Sequence, residues 1–166
     1  MKHVRTLAAL IVVFAVGFVW VSARQDTSGS GALTGQDYGE IEALYSRYNQ
    51  GSDFRDDELF LSAFSEDAVI VRADGSKVEG MAALRASRPK REAGETRDAG
   101  RRHRTGSYLI TPTADGAKGR AYYILLDVTT RPPTMRLSGV YEDEFVRTPD
   151  GWRIKRRFIN RDMPTR

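Results

Sequence analysis

Cysteine is absent from this chain, and only two of its 166 residues are histidine. The first absence excludes disulfides, thiolate metal sites, a cysteine nucleophile and a lipidated N-terminal cysteine. The second leaves His103 as the one imidazole outside the N-terminal segment, where His3 lies. One histidine and scattered carboxylates supply no spaced ligand set, so neither a metal nor a cofactor is expected. The acidic trio Glu142, Asp143 and Glu144 reads instead as a strand face paired with neighbouring arginines. Aromatic residues are missing from the basic run between Arg85 and Arg104, which Glu92, Glu95 and Asp98 interrupt. Single-stranded nucleic acid is held on grooves where basic residues alternate with stacking platforms. Nucleic acid is therefore not expected as a partner, and the run reads as a solvated loop. Contact with anionic lipid headgroups is the other role its charge allows.

At the N-terminus, Lys2 and Arg5 precede an uncharged stretch from Leu7 to Val21, LAALIVVFAVGFVWV. Val21-Ser22-Ala23 resembles a small-residue cleavage site. Such a stretch is ample for a signal-peptide core and short of the about 20 residues a membrane-spanning helix uses. Residues 1–23 are thus expected to be a signal peptide or an N-terminal membrane anchor. The domain is expected to be exported, periplasmic or otherwise extracytoplasmic, and held to the membrane by residues 7–23 if they are not cleaved. Residues 24–35, RQDTSGSGALTG, read as a flexible linker. Residues 36–161 form the domain and 162–166 a tail. The formal charge of +4 falls to +2 without Lys2 and Arg5, a balance that argues for no particular partner.

Asp37 followed by Glu40 predicts a helix start of the capping-box kind. Ile41, Leu44, Tyr45 and Tyr48 then form one apolar stripe, and the helix is expected to stop near Asn49-Gln50-Gly51. A second helix is predicted over Asp56–Phe64, a strand over Ala68–Arg72, and a short partner strand over Lys77–Glu79. A third helix runs from Met81 to about Arg88, with Pro89 against its continuation. Four longer strands follow: Arg102–Thr111, Gly119–Thr130, Arg136–Arg147 and Trp152–Asn160. The turn formers Asp115-Gly116, Pro132-Pro133 and Asp150-Gly151 separate them. Helices first and strands later imply an α+β fold, a curved antiparallel sheet wrapped around N-terminal helices.

In the last strand, simple alternation puts Trp152, Ile154, Arg156, Phe158 and Asn160 on one face. An arginine on an apolar face needs an anion. Arg156 would find it in Asp143 or Asp127, or in a carboxylate- or phosphate-bearing ligand gripped by its guanidinium. Tyr122 and Tyr123 must face opposite ways, and alternation alone leaves open which faces inward. Tyr108 and Tyr141 read as packing residues.

The order Tyr48-Asn49, FSEDAVI, EGMAAL, RRHRTGSYLI, AYYILLDV and GVYEDEFVRTPDGWRIKRR resembles a SnoaL-like domain of the nuclear transport factor 2-like superfamily. The resemblance covers residues 36–161 and implies a cone-shaped α+β barrel with an apolar cavity. It also implies a range of roles: isomerases, dehydratases, cyclases, hydrolases, oxygenase subunits and proteins that only bind. Homodimerisation through the sheet is common in such proteins. In dehydratase-like members a Tyr-Asp pair on the first helix works with a histidine at the start of a central strand. Tyr48-Asn49 and His103 stand at those places. An amide is no general base, and Asp53, four residues on, reads as a weak substitute beyond a loop. The residues therefore suggest a module binding a small, largely apolar and possibly anionic ligand through Tyr48, Asn49, Tyr123 and Arg156. The alternative is a cofactor-independent isomerase, dehydratase or cyclase with His103 as acid and base.

Overall fold

The computed structural model describes residues 31–90 and 96–162. The signal or anchor segment 1–23, linker residues 24–30, loop residues 91–95 and tail residues 163–166 lie outside the described residues. Among the described residues, no helix is long and apolar enough to cross a membrane.

The first helix, α1, spans Gly35–Asp53. Its capping box lies one turn before the predicted one. Thr34 Oγ1 accepts from Asp37 N at 3.2 Å, and Asp37 Oδ2 accepts from Thr34 N at 2.8 Å. The expected stripe of Ile41, Leu44, Tyr45 and Tyr48 is buried. The helix does not stop at Asn49-Gln50-Gly51 but continues one turn to Asp53. Glycine inside a helix costs about 1 kcal/mol relative to alanine, and packing overrides that cost here. A Cβ on Gly51 would lie 2.4 Å from the backbone nitrogen of Phe60. The glycine thus lets α2, Asp57–Leu61, lie directly against the last turn of α1. The second helix is shorter than predicted, because the chain from Phe64 onward is already strand.

The strands are β1 (Phe64–Val71), β2 (Lys77–Glu79), β3 (Arg101–Thr113), β4 (Gly116–Asp127), β5 (Thr134–Thr148) and β6 (Gly151–Arg161); α3 covers Gly80–Ala86 between β2 and β3. They form one curved sheet in the order β2-β1-β6-β5-β4-β3. The antiparallel meander holds from β3 to β6, but β1 joins β6 in parallel. That pairing is possible because helix α3 and the long strands intervene between β1 and β6, giving the chain room for a crossover.

The inner face of the sheet packs on α1 and carries Ala117, Ala121, Tyr123, Tyr141, Phe145 and Ile154 in one core with the α1 stripe. Tyr123 is the inward member of its pair at 3% exposure, against 58% for Tyr122. Strict alternation fails in β6. Glu144 pairs with Arg156 but Phe145 pairs with Ile154, so Lys155 is an extra residue. A bulge of this kind transfers every later side chain to the other face. Arg156 therefore points outward with Glu144 at 3.7 Å, and Arg157 takes the inward place.

Candidate active site

The last turn of α1 and the start of β3 face one another, and their periodicities match. Asn49, Ser52 and Asp53 are spaced i, i+3, i+4 and share a helix face. Arg101, His103 and Thr105 are spaced by two and share a strand face. Three pairs result. Arg101 Nη2 donates to Ser52 O at 3.2 Å and to Ser52 Oγ at 3.1 Å. Asn49 Nδ2 donates to Thr105 Oγ1 at 3.0 Å. Between them, Asp53 Oδ2 accepts from the His103 backbone N–H at 2.8 Å and Oδ1 lies 2.5 Å from His103 Nδ1.

The central pair is a carboxylate–imidazole dyad. The side chains of His103 and Asp53 are 11% and 4% exposed. A buried carboxylate needs hydrogen-bond donors, and the backbone N–H and Nδ1–H of His103 supply two. In the neutral ring, a proton on Nδ1 directed at Asp53 leaves Nε2 with a lone pair. A carboxylate held on one ring nitrogen also stabilises the imidazolium that forms when the other takes a proton.

Around the dyad the wall is aromatic. Tyr48 meets the His103 ring edge-on, with centroids 6.1 Å apart, and also meets Tyr141. Tyr141 stacks on Tyr123 at 4.2 Å. Burial raises the phenol pKa of both Tyr141 and Tyr123, so these rings stay neutral through the physiological range. Beneath them Arg157 makes a two-point bond to Asp143, both contacts 2.8 Å, with neither side chain exposed. Its guanidinium lies 4.3 Å from the Tyr48 and Tyr141 ring centres. Leu125 and Leu137 are half-buried and follow His103 across the sheet. A separate cleft of about 380 Å³ involves Leu109, Lys118, Arg120, Glu142 and Phe158, away from the dyad.

Of the residues singled out in the sequence, His103 and Tyr48 are brought together, and Tyr123 reaches the same wall through Tyr141. Asn49 flanks the dyad but is spent on Thr105. Arg156 is not at the site at all. The salt bridge expected for it with Asp143 belongs to Arg157, and Asp127 is 4.0 Å from Arg136 instead. Asp53, read as a weak substitute beyond a loop, is on the helix and is the direct partner of His103. Its signal was its spacing from Asn49, one helical turn on the same face. Among the described residues no three His, Asp or Glu side chains gather as a metal-ligand set.

A family model described as a SnoaL-like domain matches residues 34–158. No curated protein matches the chain. Among solved structures, a protein of unknown function from Mycobacterium tuberculosis is 27% identical, with a TM-score of 0.64 over 78% of this chain and 74% of that one. A nuclear transport factor 2-like protein with a cystatin-like fold from Novosphingobium aromaticivorans is 25% identical, with a TM-score of 0.66 over 78% and 84% of the two chains. ActVI-ORFA from Streptomyces coelicolor is 23% identical, with a TM-score of 0.64 over 78% and 98%, a likeness of fold alone.

Proposed function

The chain belongs to the SnoaL-like domain family, and from that premise we propose that it is a cofactor-independent acid/base enzyme acting on a small, largely apolar ligand. The observation that carries the reading is the Asp53–His103 dyad. The amide at Asn49 favours a pure binding module only where no carboxylate stands nearby, and Asp53 lies one turn further along the helix against His103. In the proposed step, His103 Nε2 removes a proton from carbon beside a ligand carbonyl. The imidazolium, stabilised by Asp53, then returns that proton to a neighbouring carbon or to a leaving hydroxyl. Tyr48, packed against the imidazole, is assigned the hydrogen bond to the developing enolate oxygen.

Proton abstraction can be followed without the natural ligand. The full chain in deuterated water is expected to speed hydrogen–deuterium exchange beside the carbonyl of cyclic hydroxyketones and aryl ketones, read by mass spectrometry. His103→Gln should abolish the gain, and Asp53→Asn should lower it by about 10²–10⁴-fold. Exchange as fast in both variants as in the wild type would refute the reading.

Export, with residues 1–23 as signal or anchor, belongs to the same proposal and rests on the N-terminal sequence. Homodimerisation through the sheet is favoured by Leu109, Tyr122, Ile124 and Met135, strand residues each at least 40% exposed. A monomeric mass for the full chain in sedimentation would reject it.

A further inference from the structure

We propose that Arg101 is the anion anchor of this site and that the ligand is an apolar carboxylate. Its acid group would sit about 6–7 Å from the atom on which His103 acts, the span of two strand residues. The inference rests on the dyad being the working end of the site.

Arg101 and His103 lie on the same face of β3, and both meet the last turn of α1. The two bonds from Nη2 to Ser52 fix the guanidinium. Its Nε–H is buried and has no partner among the described residues. Arg157 Nη1 is likewise buried without a partner, but Arg157 has a carboxylate of its own in Asp143 at 2.8 Å, as Arg88 has in Asp57 at 2.8 Å. Arg102, the next residue, is closed by Asp98 at 2.6 Å. No carboxylate pairs with Arg101 among the described residues. Asp127 stands opposite it in the β3–β4 ladder but accepts from Thr129 N at 2.9 Å and Thr129 Oγ1 at 2.5 Å.

A purely structural role explains part of this. Ser52 O is one of the terminal carbonyls of α1, and a cation there is favourable. That role occupies Nη2 and leaves the desolvated Nε–H without an acceptor, which is costly unless something supplies one. A guanidinium without its own counter-ion matches a singly charged, planar acceptor. A phosphate would bring a second negative charge beside Asp53 and Asp127. Leu125 and Leu137, in line with His103 across the sheet, suit the apolar body of such a ligand.

The test compares 2-naphthoate with 2-naphthamide, which share a shape and differ in charge. Binding to the full chain is followed by the His103 ring signals in NMR, assigned with the His103→Gln variant. The naphthoate is expected to bind at least about tenfold more tightly, the worth of one charge-assisted hydrogen bond. Arg101→Gln should bring the two probes within about twofold of each other without changing the amide affinity. Arg101→Lys, which keeps the charge but loses the fork on Ser52, should leave an intermediate preference. No preference in the wild type, a preference that survives in Arg101→Gln, or no binding of either probe at millimolar concentration would each overturn the assignment. His103→Gln separates the two readings: with binding followed by calorimetry, its carboxylate preference should persist. If ketone exchange also persists in that variant, the acid/base reading falls while the anchor stands.

Discussion

Removing one partner of the Arg157–Asp143 pair should be far more damaging than removing both. The pair joins β5 to β6 at zero side-chain exposure, with Nε–Oδ1 and Nη2–Oδ2 both 2.8 Å. Burying two charges costs several kcal/mol per ion, which their mutual attraction recovers only in good geometry. Arg157→Met strands the Asp143 carboxylate, and Asp143→Leu strands the guanidinium. Each should cost about 3–5 kcal/mol, a large part of the roughly 5–15 kcal/mol that holds a domain together. Independent effects would sum to about 6–10 kcal/mol, but an apolar pair of similar volume often replaces a buried ion pair at little cost. The double variant does lose cation–π contact with Tyr45, Tyr48 and Tyr141. Methionine sulfur on the same rings returns about 0.3–1.5 kcal/mol per contact. The double variant should therefore lie within about 3 kcal/mol of wild type, giving a coupling of at least about 3 kcal/mol. Guanidinium denaturation of the wild type and three variants measures the cycle. A double variant as unstable as the sum would refute the reasoning, showing that Arg157 acts through the rings and Asp143 through something else.

Two further outcomes follow from the helix. Burial pushes the Asp37 carboxyl up, but bonds from Trp152 Nε1, from the backbone and hydroxyl of Thr34, and from Arg147 outweigh it and hold the group well below the usual carboxylate range. A folded pKa below the unfolded value of about 3.9 stabilises the protein above that value, and the contribution is lost as pH falls toward the folded pKa. Asp37→Asn should thus be destabilised at neutral pH by about 1–3 kcal/mol, and urea titrations should show the gap to wild type closing below about pH 4. A gap unchanged down to the acid transition would contradict this. Gly51→Ala, which helix propensity alone would favour by up to about 1 kcal/mol, should instead destabilise by about 1–3 kcal/mol, because its Cβ meets the Phe60 backbone. A raised melting temperature would show that α2 can move aside.

The periodic parts of the chain are legible in its sequence. Ile41, Leu44, Tyr45 and Tyr48 declare a helix face, and the turn formers at Asp115-Gly116 and Asp150-Gly151 declare hairpins. What escaped is what depends on a partner far away in the chain. The extra residue Lys155 has no local signature, yet it exchanges Arg156 for Arg157 as the buried cation, with a single slip moving every later side chain across the sheet. The parallel seam between β1 and β6 is likewise set by tertiary packing. No pattern within either strand announces it.

The site was half legible for a related reason. Asn49 and Asp53 are one helical turn apart and present their side chains on the same face. A reading tied to position finds an amide where a base is wanted and concludes that chemistry is lost. A reading tied to the face asks which carboxylate reaches His103 once the helix is as long as its packing allows. The answer depends on Gly51, whose missing side chain admits Phe60 and lets the last turn form. Helix length, close approach to α2 and the placing of Asp53 are then one feature seen at three scales. A variant that frays this turn should disable the dyad while leaving both of its residues in the sequence.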